Sequence, residues 1–155
     1  MWRIRKSCEL KEIDVVDILK IETERLILRP YTPEDWEAVH EYGADPDFSK
    51  YEMWGPNSVE DTKKFIADMM VEAATEPRYR FGFAVHLKSE DRLIGGCGIR
   101  RDSQQSSMAN LGWSIHPNYQ GQGFATEPSP GKHLIAIATS SYPIQNHKRC
   151  QAPHK

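Results

Sequence analysis

Residues 79–87 read YRFGFAVHL, alternating apolar and polar near the start, and residues 93–99 read LIGGCGI beyond a Ser89-Glu90-Asp91 turn. Both runs carry the period-two signature of strands joined in a hairpin. A polar loop, Asp102 to Ser107, leads to a third such run. In it Ala109, Leu111, Trp113 and Ile115 share one face, and Asn110, Gly112, Ser114 and His116 the other. The pattern predicts consecutive antiparallel strands over 79–87, 92–99 and 108–116.

Upstream the period changes. Arg25 to Arg29 reads as a strand closed by Pro30. Thr32-Pro33-Glu34-Asp35 is a helix start, with Thr as N-cap and Pro in the first turn. Trp36, Val39 and His40 then recur at helical spacing until Gly43. A second start lies at Ser58; Phe65, Met69 and Ala73 mark the expected buried face, with Ile66 and Met70 beside it. Helices are expected near 33–43 and 59–75. The resulting β-α-α-β-β-β order predicts an α+β domain: a mixed, largely antiparallel sheet flanked by helices. Residues 1–20 form an N-terminal extension whose apolar cluster, Ile13 to Leu19, suits a helix or a strand.

Composition narrows the function. The 155 residues fit one domain, and Lys+Arg 20 against Asp+Glu 22 argues against a nucleic-acid partner held by bulk charge. Cys8, Cys97 and Cys150 are too widely spaced for a disulfide framework or a zinc site. No apolar run approaches the roughly 18 residues that would cross a bilayer. Nor does a signal-peptide core follow the basic N-terminus. A cytoplasmic protein with no membrane partner is the expectation.

The chemistry concentrates between His116 and Glu127, where Gln120-Gly121-Gln122-Gly123-Phe124-Ala125 follows the third strand. Such a glycine-rich turn exposes several backbone N–H groups to one point, which suits a phosphate or pyrophosphate. A plain tight turn is the bland alternative. The third Gly/Ala of the dinucleotide fingerprint and the Gly-Lys-Ser/Thr of a P-loop are both missing.

Gln120-x-x-Gly123-x-Ala125 resembles the Gln/Arg-x-x-Gly-x-Gly/Ala acetyl-CoA loop of the GNAT superfamily of N-acetyltransferases. Glu22 to Arg29, Thr32 to Asp35, Leu93-Ile94-Gly95 and Leu111 to Pro117 resemble its RimJ/RimL-like branch, in the family's order over residues 21–127. The resemblance implies direct acetyl transfer from acetyl-CoA, as co-substrate, to a primary amine on a small molecule or a protein N-terminus. No metal is implied. By the same analogy Trp113 and Ile115 offer backbone partners to the pantetheine, while Gln120, Gly121, Gln122, Gly123, Phe124 and Ala125 cradle the pyrophosphate.

Two departures qualify it. Asn110 stands where many members carry an acid, and Asn cannot act as a general base. His116 shares the face of Ser114 but sits where a loop anchor is the ordinary role, so no catalytic base is named. Second, Glu127 is followed by Pro128-Ser129-Pro130-Gly131, where the family continues with a long helix. A proline costs about 3 kcal/mol in a helix interior, leaving one turn at most. All 22 acidic residues precede it, and the Pro/His-rich basic tail, 128–155, matches nothing beyond. Truncation or a frame change would account for this. Part of the 108–116 strand and of the 59–75 helix would then lie uncovered or be patched by KHLIAIAT, favouring a homo-oligomer. Gln145 to Lys155 are expected to be disordered. Two readings stay open: an N-acetyltransferase, and a non-catalytic CoA-binding remnant serving as an interaction module.

Overall fold

The computed structural model describes residues 20–75, 78–101, 103 and 109–127. Expectations for residues 1–19, for the 128–155 tail and for its last eleven residues lie outside them. Five strands form one sheet in sequence order: β1 (Ile21–Glu22), β2 (Leu26–Arg29), β3 (Arg80–Leu87), β4 (Arg92–Arg101) and β5 (Ala109–Ile115). Every pairing among them is antiparallel. The predicted meander is present, and β1 is a short addition to it.

Between β2 and β3 lie a 3-10 turn (Pro33–Asp35) and three helices, α1 (Trp36–Gly43), α2 (Pro46–Ser49) and α3 (Val59–Ala74). The Asp35 carboxylate accepts the Thr32 N–H at 2.8 Å and so fixes the first start. At the second, Ser58 Oγ accepts from the Asp61 N–H at 3.1 Å, while Asp61 accepts from the Ser58 N–H. Pattern reading did not foresee α2, whose Asp45 side chain caps the Asp47 N–H at 2.8 Å.

The buried face of α3 is a correction. Thr62 and Ile66 are its buried residues, whereas Phe65 and Met69 are half-buried against the helix-side core, Ala73 is half-buried and Met70 is exposed. Thr62 reads as polar, yet its hydroxyl donates to the Ser58 carbonyl at 3.1 Å and lies 3.0 Å from His40 Nδ1. A satisfied hydroxyl can be buried at little cost.

The sheet separates two cores. On one face Leu26, Leu28, Phe81, Phe83, Val85 and Ile99 pack with Phe124 of the glycine loop. On the other, Tyr31, Val39, Tyr42, Phe48, Ile66 and Ala84 pack under the helices. A bulge at Val85/His86 leaves Ile94 as the extra residue on β4. Burial along β5 rises from exposed Ala109 and Leu111, through half-buried Trp113, to buried Ile115.

Candidate functional site: an open strand edge, a glycine loop and an aromatic cleft

His116 donates its N–H to the Ile94 carbonyl at 2.8 Å. Antiparallel bonding alternates, so Ser114, Gly112 and Asn110 also face β4. Leu111, Trp113 and Ile115 therefore turn their backbone N–H and C=O groups to the outer edge of β5. Among the described residues no strand pairs with that edge. The Ile115 carbonyl is met there by Gln120 Nε2 at 2.9 Å.

The chain leaves β5 through the 3-10 turn Pro117–Tyr119, held by His116. Its ring Nδ1 accepts the Asn118 N–H at 3.1 Å, and the ring packs edge-on against Tyr42 and Tyr119. That is an anchor's environment. Gly121 and Gly123 then take φ of +73° and +80°, which disfavours any residue with a Cβ. Among the described residues the backbone N–H groups of Gly121 to Ala125 meet no acceptor. All but Phe124 are exposed.

Arg25, from the β1–β2 turn, holds the loop in place. Its Nη1 donates to the Gln122 carbonyl at 3.0 Å, its Nε to Glu127 Oε2 at 3.0 Å, and its guanidinium lies 4.5 Å from the centre of the Phe124 ring. A trans peptide directs C=O and N–H oppositely, so this bond turns the Gly123 N–H away from Arg25. The Gly123 carbonyl accepts from Thr126 N at 3.3 Å, which turns the Phe124 N–H outward in the same way. Burial opposes the charge on Glu127, but hydrogen bonds from Thr23 and Arg25 outweigh it and hold the carboxyl below its usual range. The Thr126 N–H and the Gly123 carbonyl close one turn within the described part of the loop, and its exposed donors belong to backbone held by side chains.

Beside β5, on the helix side of the sheet, lies a cleft of about 280 Å³. Its floor is a cross-strand row of glycines, Gly82 paired with Gly98 and Gly98 with Gly112. A Cβ on neighbouring Gly96 would sit 2.2 Å from the Tyr31 hydroxyl. Trp54 stacks on Phe65 at 5.3 Å, and Tyr42 meets Trp54 edge-on at 6.1 Å. Burial pushes the Tyr31 and Tyr42 phenols up, so both stay neutral. Glu52 reaches Ser114 Oγ at 3.3 Å. Asn110 is exposed and lies outside the cleft lining. Burial likewise raises the Cys97 thiol, which keeps it protonated and inert.

The structure thus brings the sequence-predicted loop to the end of the strand that carries Trp113 and Ile115. Sequence reasoning pointed neither to Arg25 as the tether of the loop nor to Glu52 as part of the cleft lining. In the sequence Arg25 reads only as the start of a strand, and nothing in the pattern around Glu52 marks it as facing a cleft.

The acetyltransferase (GNAT) domain family matches residues 25–131, and the chain belongs to it. It is 34% identical over 109 residues to the uncharacterized N-acetyltransferase YnaD of Bacillus subtilis, covering 70% of this chain and 60% of YnaD. An acetyltransferase of the GNAT family from Bacillus anthracis superposes with a TM-score of 0.62 at 29% identity, over 77% of this chain and 66% of that one. The microcin C7 self-immunity acetyltransferase MccE, solved with acetyl-CoA and AMP, shares the fold with a TM-score of 0.57 at 14% identity, over 76% and 79% of the two chains. Among the described residues no helix is long and apolar enough to cross a membrane.

Proposed function

We propose that the protein transfers the acetyl group of acetyl-CoA to a primary amine. The carrying observation is the continuity of two kinds of backbone that are unpaired among the described residues, the Ile115 carbonyl excepted. The outer edge of β5 at Trp113 and Ile115 runs directly into the exposed N–H groups of Gly121 to Ala125. An extended amide chain ending in a pyrophosphate complements that sequence of groups, the chain lying along the edge as an added strand. Gln120 shapes the junction, and Phe124 roots the loop in the core. Acetyl-CoA supplies the activated acyl group. The chain's part is to place it where β5 borders the cleft, with edge N–H groups near the charge that develops on the acyl oxygen. MccE, with its bound acetyl-CoA, supports the reading by shared fold.

The test is thiol release from acetyl-CoA across a panel of amines, with CoA affinity measured in parallel. Amine-dependent release is expected; binding without release from any amine would overturn the transferase. Gly123→Val should weaken CoA binding by crowding the approach to the main chain, while Cys97→Ser leaves it unchanged. Equal effects would remove the loop from the site.

A further inference from the structure

Among the described residues the cleft carries one charge that no ion pair answers. Glu52 is half-buried, and the only hydrogen-bond partner its carboxylate has among the described residues is the Ser114 hydroxyl at 3.3 Å. No described Lys, Arg or His forms an ion pair with it. Arg80, the cationic residue of the same lining, is engaged by Glu72 at 2.8 Å on α3. A half-buried carboxylate is stabilised by a cation close to it. The walls around it are aromatic and present π-faces and ring edges, which also favour a cation on an apolar body. The glycine floor offers space and no side-chain polarity. Tyr51 and Met53, which flank Glu52 in sequence, are 90% and 104% exposed.

We infer that this cleft receives an acceptor bearing a single ammonium group on an apolar or aromatic body, and that Glu52 is the residue that holds the ammonium. The inference rests on the acetyltransferase reading and narrows its acceptor. A polyamine or an aminoglycoside carries several cations, and the described lining supplies one carboxylate. An acidic acceptor would be repelled by it. Glu52 would act as a specificity residue, and the stacked Trp54 and Phe65 would set the shape of what accompanies the charge.

The test uses the full chain saturated with CoA and reads binding by calorimetry, so that it does not depend on turnover. The probes are 2-phenylethylamine, spermidine and phenylacetate at neutral pH. The monoamine should bind more tightly than spermidine, and phenylacetate should not bind. Glu52→Gln should weaken the monoamine about tenfold, the scale of one charge-assisted hydrogen bond. Its CoA affinity should stay unchanged, which shows that the variant folds. Glu52→Asp should recover part of the loss. Tighter binding of spermidine, or monoamine binding unaffected in Glu52→Gln, would overturn the inference. If the monoamine binds through Glu52 and no amine releases thiol, the transferase reading fails while the cation site stands.

Discussion

The glycine loop and the cleft adjoin the same strand and are built by opposite means. In the loop the exposed donors are backbone, and the segment is held by side-chain bonds to residues elsewhere, Arg25 to Gln122 and Glu127, Gln120 to Ile115, Tyr119 to Glu90 at 2.5 Å. In the cleft the floor is made by omitting side chains, and the walls are rings held by packing. A loop of the first kind can be disoriented while the core stays intact. In the cleft a Cβ at Gly96 would meet the Tyr31 hydroxyl and one at Gly82 the Met69 sulfur, whereas one at Gly112 would meet nothing within 4 Å. The difference predicts which substitutions damage stability and which damage recognition alone.

The largest effect should come from the floor. Gly96→Ala places a Cβ 2.2 Å from the hydroxyl of buried Tyr31, and that rigid ring must move. Overpacking of this kind costs about 1–3 kcal/mol, measurable as a lowered urea midpoint. Gly121→Ala meets no atom within 4 Å but must hold a φ of +73°. Its cost is conformational, about 1 kcal/mol. If the loop variant loses more stability than the floor variant, the two regions do not differ in the way described.

Next in size is the loop's hold on its ligand. Arg25→Ala removes the donor that orients the Gln122–Gly123 peptide and leaves Glu127 without its cation. CoA affinity should fall about tenfold. Affinity for S-acetylpantetheine, which lacks the pyrophosphate, should not change. Arg25→Lys keeps the charge without the planar fork and should fall between the two. Parallel loss of both ligands would mean general damage and would remove Arg25 as a positioning residue.

The same contrast explains what could be read from the sequence. The meander was legible because alternation is local, and the loop because its glycines lie within a few residues of the strand that feeds it. Family resemblance added the ligand to a turn that physics alone left open. The cleft was not legible, since Tyr31, Glu52, Trp54 and Phe65 meet only through the folding of helices onto the sheet. Arg25 and Glu127 are 102 residues apart, and neither marks the other. On α3, Thr62 was passed over because its polarity hid that both hydroxyl partners lie nearby.

The smallest effect is graded by pH and separates the sheet's polar contacts from the loop's. Arg29 bonds both Asp35 oxygens at 2.7 Å, and its Nη2 also lies 2.7 Å from His86 Nε2. His86 must be neutral to accept there, and burial together with the Arg29 charge lowers its pKa. The unfolded chain therefore takes up this proton first. Stability should begin to fall as pH drops below about 6.5 and stop falling at the folded pKa of His86. Burial would raise the Asp35 carboxyl, but hydrogen bonds from Arg29 and the Thr32 N–H outweigh it and hold it low. Glu127 is depressed likewise. Their contributions are complete above the unfolded carboxylate range, about pH 4, and are lost as pH falls through the lower folded values. Urea unfolding across this range should show an upper and a lower loss. His86→Gln should abolish the upper one and leave the lower, in which Glu127 of the loop takes part. An upper loss that persists in His86→Gln would place the responsible group outside the Arg29 cluster.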